Sequence, residues 1–191
     1  MNQPIGIYAG TFDPIHNGHI SFALQAIAKA NLSQVYFMVE LKPRYKTNVT
    51  NLNDRIHMIR LAMKPYPKLK LMTLKENSFS VEATLPQLLA KFANTKLVYL
   101  FGSDVFCNIP KWPSATTFAN SGSFIVSIRH SQDPAVIDQT TSKLQLKTTI
   151  MHSQYPTVSS RHIRQNIHST NHSQDTPKEV TEYIKNHSLY V

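Results

Sequence analysis

Six short apolar runs, separated by helix-like or turn-like sequence, constrain the fold of this chain more than any other feature. They are PIGIYAG (4–10), QVYFMVEL (34–41), LKLMTL (69–74), KLVYLFG (96–102), SFIVSIR (123–129) and TTIMH (148–152). Most are apolar on both faces, which is typical of strands in a parallel sheet that is covered on both sides. The alternation therefore predicts an α/β fold, a doubly wound Rossmann-like parallel sheet with helices on both faces and a C-terminal helical segment.

Helical patterns fill much of the sequence between and after these strands. They predict helices near 18–31, 53–63, 80–93, 159–169 and 177–187. Asn53 is a candidate cap for the second helix, Pro86 should start or kink the third, and Pro177 suits the first position of the last. The polar stretch HSTNHSQDT (168–176) is predicted to be an exposed loop. No repeat or long linker divides the chain, so residues 1–191 are predicted to form a single domain.

Charge and cysteine content narrow the partners and the compartment. The chain has 20 Lys plus Arg against 11 Asp plus Glu, a formal net charge of +9, which favours anionic partners or simply a solubilising surface. The basic residues are scattered and no apolar stretch approaches bilayer length, so neither nucleic acid nor membrane is expected to bind. The single cysteine, Cys107, and an N-terminus without a signal-peptide pattern indicate a cytoplasmic protein. Oligomeric state stays open, a homo-oligomer included.

The stretch AGTFDPIHNGH (9–19) joins the first predicted strand to the first predicted helix. Doubly wound sheets bind ligands at such carboxyl ends of strands. Gly10 permits either a close backbone approach or a positive φ, and Gly18 falls near a helix N-terminus, which attracts anions. His16 and His19 can each donate an N–H to the same anion. As a metal pair they lack a third ligand nearby, so the stretch predicts a phosphate site.

These residues resemble a known signature. GTFDPIHNGH is similar to the first motif of the nucleotidyltransferase superfamily with the (T/H)xGH motif, and SSRHIR (159–164) resembles its second motif, SSTxIR. Arg161 stands where that superfamily usually has Thr. Alone, SSRHIR would be an N-capped basic helix, with Ser159 and Ser160 at the start and Arg164 one turn on. Beside the first motif it predicts the second wall of the phosphate site.

Further segments are similar to the nicotinate-nucleotide adenylyltransferase family over nearly the whole length. They are KPRYK (42–46), DRIHMIRLA (54–62), SFSVEATLPQL (78–88), YLFGSDVF (99–106) and PKEVTEYIKNHSLY (177–190). KPRYK and SFSVEATL depart most from the family pattern, so the identity of the acceptor is more open than the reaction. Nicotinamide mononucleotide or another phosphorylated acceptor is the alternative, as is a degenerate nucleotide-binding protein of the same fold.

The resemblance implies adenylyl transfer from ATP to nicotinate mononucleotide, giving deamido-NAD and pyrophosphate in NAD biosynthesis, with Mg²⁺ bound together with ATP. It implies catalytic roles for His16, His19, Lys46 and Arg164. It implies ATP binding by Gly10, Thr11, Phe12, Gly18, His19, Gly102, Asp104, Ser159, Ser160 and Arg164, and acceptor binding by Thr11, Phe12, Arg44, Lys46, Thr84, Trp112 and Arg129. Without the resemblance, Trp112 is equally a core residue, Asp104 a helix cap, and Arg44 and Lys46 solvated loop charges.

Overall fold

The six apolar runs form the six strands of one parallel sheet. The computed structural model describes residues 2–43, 46–73, 76–128, 134–170 and 173–191. The strands are β1 (Ile5–Gly10), β2 (Gln34–Val39), β3 (Leu69–Thr73), β4 (Leu97–Gly102), β5 (Ser123–Ile128) and β6 (Thr148–His152). Their order is β3-β2-β1-β4-β5-β6, and every pairing is parallel. The chain thus winds outward in both directions from β1, which confirms the predicted doubly wound fold.

Helices cover both faces of this sheet. They are α1 (Asn17–Ala30), α2 (Leu52–Met63), α3 (Val81–Lys91), α4 (Ser103–Phe106), α5 (Ala115–Ala119), α6 (Pro134–Leu144), α7 (Ser160–Thr170) and α8 (Lys178–Asn186), with a 3₁₀ turn at Ile109–Lys111. The five predicted helices are present, whereas α4, α5 and α6 were not predicted. The first two have too few residues to show a period, and α6 is rich in Thr and Ser, which are weak helix formers. In the described residues no helix is long and apolar enough to cross a membrane.

Alternate side chains of β4 show how the two faces are used. Val98 and Leu100 join one core cluster, while Leu97, Tyr99 and Phe101 join another. Helices α1, α2, α7 and α8 pack into the first cluster, and α3 to α6 pack into the second. This arrangement brings α1 and α7 to the same face of the sheet, although more than a hundred residues separate them in sequence.

Two helix boundaries differ from the predictions. Helix α2 is capped by Asn51, whose side chain accepts the Asp54 N–H at 3.0 Å, rather than by Asn53, which lies inside the helix. Helix α3 begins at Val81, capped by the Ser80 hydroxyl, so Pro86 lies within the helix and does not start it. In each case a polar residue just upstream of the predicted cap or proline satisfies the first backbone N–H groups.

The predicted exposed loop 168–176 is only partly correct for the described residues of this segment. Helix α7 continues to Thr170, and Ser173 and Thr176 are both only 5% exposed. The Asp175 carbonyl accepts the backbone N–H of Asn17, the first residue of α1, at 2.8 Å. Polarity alone misled the prediction here, because two of the polar side chains are buried and a backbone carbonyl of the segment bonds to the start of α1.

Candidate active site

A cleft of about 730 Å³ opens at the carboxyl ends of the strands, around β1 and β4, where the strand order reverses. Most residues that the sequence assigned to a nucleotide site line this cleft. They are Gly10, Thr11, Phe12, His16, Gly18, His19, Lys46, Gly102, Asp104, Ser159, Ser160 and Arg164. Arg161 lines it too, as do Ser127, Ser153 and Tyr155, which follow or end β5 and β6 and which no sequence motif indicated.

The turn after β1 depends on close packing between Gly10 and Phe12. A Cβ atom at Gly10 would lie 2.9 Å from the Phe12 ring, so no larger residue fits there. Among the described glycines none has a positive φ, whereas Phe12 does, at 51°. Of the two alternatives for Gly10, the structure therefore shows the close approach. The Phe12 ring is 3% exposed and packs 5.3 Å from the Tyr8 ring, and this burial offsets the cost of its left-handed backbone.

His16 and His19 form a stacked pair at the N-terminus of α1. Their ring centroids are 3.6 Å apart, and the His16 backbone N–H donates to His19 Nδ1 at 3.2 Å. Because Nδ1 accepts, the neutral His19 ring carries its proton on Nε2, which makes Nε2–H the donor. Gly18 leaves room for the stack, since a Cβ there would lie 3.0 Å from His16 Nδ1. An N–H donor is thus set beside the positive end of the α1 dipole.

Lys46 brings a cation to the end of β1 from the loop that follows β2. Its Nζ donates to Thr11 Oγ1 at 2.8 Å, and Thr11 is only 6% exposed. The two residues line the same cleft, together with the next three loop residues, Thr47, Asn48 and Val49. Arg44, which the sequence assigned to the same segment, lies outside the described residues.

The first turn of α7 forms the opposite wall and bonds directly to the first motif. Ser160 Oγ donates to the Pro14 carbonyl at 2.9 Å, and Arg164 donates to the Asp13 carbonyl at 2.6 Å. Ser159 Oγ caps α7 by accepting the His162 N–H at 3.1 Å. The Ser159 O–H therefore remains available to donate to a ligand, whereas the Ser160 O–H already donates to the Pro14 carbonyl.

Asp13 joins these elements, although the sequence indicated only a turn there. Its side chain is buried, at 4% exposure. Oδ1 accepts the Tyr190 hydroxyl at 2.6 Å and Oδ2 accepts the Thr50 backbone N–H at 3.2 Å, while the Asp13 carbonyl accepts Arg164. One aspartate thus connects the first motif, the Lys46 loop, α7 and the segment after α8.

Arg55 of α2 is a second buried organiser, and it is 1% exposed. It donates at 2.7–3.0 Å to four backbone carbonyls, those of Thr11, Glu40, Leu41 and Thr50. Burial lowers the pKa of this guanidinium, and the nearby charge of Asp13 opposes that shift. The four carbonyls and the nearby Asp13 carboxylate compensate for the buried charge of Arg55. Arg55 therefore fixes the ends of β1 and β2 and does not act as a ligand group.

Gly102 and Asp104 lie at the end of β4. Gly102 is the N-cap of α4, and a Cβ there would lie 2.7 Å from Asp104 Oδ1. Asp104 sits in the first turn of this helix and is not its cap, and it is exposed in the cleft. Its carboxylate is therefore available to accept hydrogen bonds from a ligand.

Two further residues that the sequence assigned to the acceptor, Thr84 and Trp112, do not line the cleft. Thr84 is 1% exposed, and its Oγ1 accepts the Ser80 N–H at 3.1 Å within α3. Trp112 is half-buried, and its ring packs 5.8 Å from Phe79, 5.9 Å from Phe101 and 5.7 Å from Phe118. Phe101 itself lines the cleft, so Trp112 is one ring removed from it. Arg129 lies outside the described residues.

Comparisons with known proteins agree with this geometry. Residues 7–166 match the Cytidylyltransferase-like family model. The chain is 30% identical over 200 residues to the probable nicotinate-nucleotide adenylyltransferase of Synechococcus sp. (strain JA-3-3Ab), covering 100% of this chain and 96% of that one. It is 33% identical over 129 residues to the Bacillus subtilis (strain 168) nicotinate-nucleotide adenylyltransferase, covering 64% and 68%. Plasmodium falciparum nicotinic acid mononucleotide adenylyltransferase, solved in complex with NaAD, superimposes with a TM-score of 0.81 at 19% identity, covering 99% and 98%.

Proposed function

The chain belongs to the Cytidylyltransferase-like family and, within it, to the nicotinate-nucleotide adenylyltransferases, and on this premise we propose that its cleft transfers AMP from ATP to nicotinate mononucleotide. The products are deamido-NAD and pyrophosphate. One observation carries the proposal: the N-termini of α1 and α7, from motifs far apart in sequence, meet in one cleft with His19 and Arg164. Two positive helix ends and two donor side chains match a chain of phosphates.

The chemical step needs no protein nucleophile. A phosphate oxygen of the acceptor attacks the α-phosphorus of ATP in line, a new P–O bond forms, and the bond to the β-phosphate oxygen breaks. The protein contributes positioning and stabilisation of charge on the transferring group. In our proposal the Nε2–H of His19 donates to an α-phosphate oxygen as charge develops there, with His16 stacked against it.

The departing pyrophosphate needs donors and positive charge. We assign this role to the Ser159 hydroxyl, the start of α7 and the guanidinium of Arg164, with the Ser160 backbone in the same turn. Lys46 faces them from the other side of the cleft. The bond from Arg164 to Asp13 supports the assignment, because it uses one nitrogen of the fork and holds the rest of the group in place.

The nucleoside of ATP would lie at the end of β4. Asp104 offers an exposed carboxylate that accepts ribose hydroxyls, and Gly102 keeps the backbone clear beside it. Gly10 and Gly18 serve the phosphates in the same way, by allowing the close packing of Phe12 and of the His16 ring.

The acceptor would enter past Thr11, Phe12 and Lys46. We propose that its phosphate is met by the Lys46 ammonium and the Thr11 hydroxyl, which are already bonded to each other. Its pyridine ring would lie against the aromatic layer that Phe101 and Trp112 form. Roles for Thr84, Arg44 and Arg129 stay predictions from the family resemblance.

We propose that Mg²⁺ enters the cleft with ATP. Bound there, it would supply positive charge that neutralises the phosphates during transfer. The cleft donors that face the phosphates are cations, hydroxyls and imidazole N–H groups, and the Asp13 carboxylate is already held by Tyr190 and Thr50. This donor set suits an ion that is held mainly by the nucleotide. The single cysteine, Cys107, supports work in a reducing compartment, which we propose to be the cytoplasm.

The decisive experiment measures pyrophosphate release from ATP and Mg²⁺ with a panel of acceptors. The panel contains nicotinate mononucleotide, nicotinamide mononucleotide and phosphopantetheine, with a reaction lacking any acceptor as the control. We expect rapid release only with nicotinate mononucleotide. Faster release with nicotinamide mononucleotide would show that this mononucleotide, and not nicotinate mononucleotide, is the acceptor. No release above the control with any of them would indicate a nucleotide-binding protein without activity.

A further inference from the structure

The Tyr190 hydroxyl lies behind the catalytic cleft and none of the roles above uses it. Tyr190 follows α8 by four residues and packs, partly buried, against the core on the α1 side of the sheet. Its hydroxyl donates to Asp13 Oδ1 at 2.6 Å. Its backbone has a positive φ of 68°, a conformation that a non-glycine residue adopts only when its surroundings hold it.

The partner of this hydroxyl connects both cationic elements of the cleft. Asp13 accepts Arg164 of α7 through its carbonyl and the Thr50 N–H through Oδ2. Thr50 belongs to the loop 46–50, whose first residue is Lys46. The Tyr190 hydroxyl is thus one hydrogen bond from the aspartate that positions Arg164, and two from the loop that carries Lys46.

The hydrogen bond from Tyr190 to Asp13 is suited to fix the position of the Asp13 side chain. Asp13 is a buried carboxylate with its oxygens satisfied, and removal of one donor leaves an oxygen without a partner in a poorly solvated place. Burial and the neighbouring Asp13 raise the pKa of Tyr190 far above its ordinary value, so the phenol remains a proton donor throughout the working pH range.

We propose that Tyr190 is a positioning residue for adenylyl transfer: through Asp13 it holds the Lys46 loop and α7 at the spacing that the phosphates require. This inference rests on the proposed function. Because transfer depends on the placement of the phosphates, a small displacement of these walls should lower kcat more than it changes substrate binding.

A matched control exists on the same segment. Tyr183 of α8 donates to Asp54 Oδ1 at 2.7 Å, and this bond raises its pKa to about 12. Both residues lie outside the cleft lining, so the pair has the same donor and acceptor groups as Tyr190 and Asp13, but its aspartate bonds to Asn51 rather than to Thr50 and Arg164. Tyr183→Phe therefore reports what the loss of a tyrosine–aspartate bond does to this part of the fold alone.

The test compares Tyr190→Phe with Tyr183→Phe in the full chain, measuring kcat, both KM values and the melting temperature. We expect kcat to fall about tenfold in Tyr190→Phe. Both KM values should stay within about twofold of the wild type, because the binding groups themselves are unchanged. Tyr183→Phe should keep the wild-type kcat, and its melting temperature should fall less, because Asp54 is only half-buried and water can replace the lost donor. A kcat for Tyr190→Phe no lower than that of Tyr183→Phe would overturn the proposal.

Amide hydrogen exchange gives a readout that needs no activity. Exchange at the Thr50 backbone N–H should be faster in Tyr190→Phe than in the wild type and unchanged in Tyr183→Phe, since the bond of this N–H to Asp13 is weakened in only one of them. Equal exchange in the two variants would refute the role of Tyr190. A wild type that fails the acceptor panel would refute the proposed function, while the exchange comparison would still decide the role of Tyr190.

Discussion

The two ends of the cleft differ in how completely the structure assembles them. At the phosphate end, formed by His16, His19, Ser159 and Arg164, the side chains and helix starts line one cavity and the two motifs are hydrogen-bonded together. At the acceptor end, formed by Phe101 and Trp112 beyond Lys46, the tryptophan stands one ring behind the cleft surface. Phosphates are recognised by backbone N–H groups and cations that a short motif supplies, whereas a pyridine ring needs a surface built from several separate elements.

The variant with the largest expected effect, at the phosphate end of the cleft, is His19→Ala. Loss of this Nε2–H donor should raise the activation free energy by about 3–4 kcal/mol, which lowers kcat by roughly two to three orders of magnitude. The KM for ATP should change less. His162→Ala is the matched control, because His162 is exposed on α7 and does not line the cleft. Steady-state kinetics and circular dichroism on both variants suffice. A folded His19→Ala enzyme with near-normal turnover would refute the assignment of His19.

Much of this phosphate end could be predicted from the sequence, because each motif is local. The turn after β1 supplies two glycines, a threonine and two histidines, and the start of α7 supplies two serines and two arginines, in each case at a helix N-terminus. The shared right hand of the crossovers fixes the face of the sheet on which each helix lies, whereas the order of the strands was not predicted. Helix α6 escaped prediction because its Thr and Ser residues weaken the helical pattern.

The contacts that hold the walls together were beyond the sequence. Asp13 and Tyr190 are 177 positions apart, and an Asp before a Pro indicates only a turn. Likewise, nothing in the polar stretch 168–176 shows that Asp175 bonds the start of α1. Such contacts depend on which surfaces meet after folding, and local patterns carry no information about that.

Trp112→Ala tests the acceptor end, with a smaller expected effect. If the pyridine ring lies against the layer of Phe101 and Trp112, the KM for the mononucleotide should rise by about 2- to 12-fold, the equivalent of about 0.5–1.5 kcal/mol for an aromatic pair. The KM for ATP should not change. Trp112→Phe, which keeps a ring, should recover much of the loss. Equal KM values in Trp112→Ala and the wild type would make Trp112 a core residue only, and thermal melting would then show the whole effect.

Arg161→Thr should have the smallest effect, and it tests whether the phosphate end of the cleft extends to Arg161. Arg161 lines the cleft from the first turn of α7, where a cation faces the positive end of the helix dipole and gains only from an anion. We expect the KM for ATP to rise about 1.4- to 5-fold, as for an exposed charge pair worth about 0.2–1 kcal/mol, and the KM for the mononucleotide to stay constant. The effect should shrink in high salt, because exposed charges are screened. Arg60→Thr, which removes an exposed charge from α2 outside the cleft lining, controls for the change in net charge. If both variants shift the KM for ATP equally, Arg161 acts only through the overall charge of the protein and is not part of the phosphate end of the cleft.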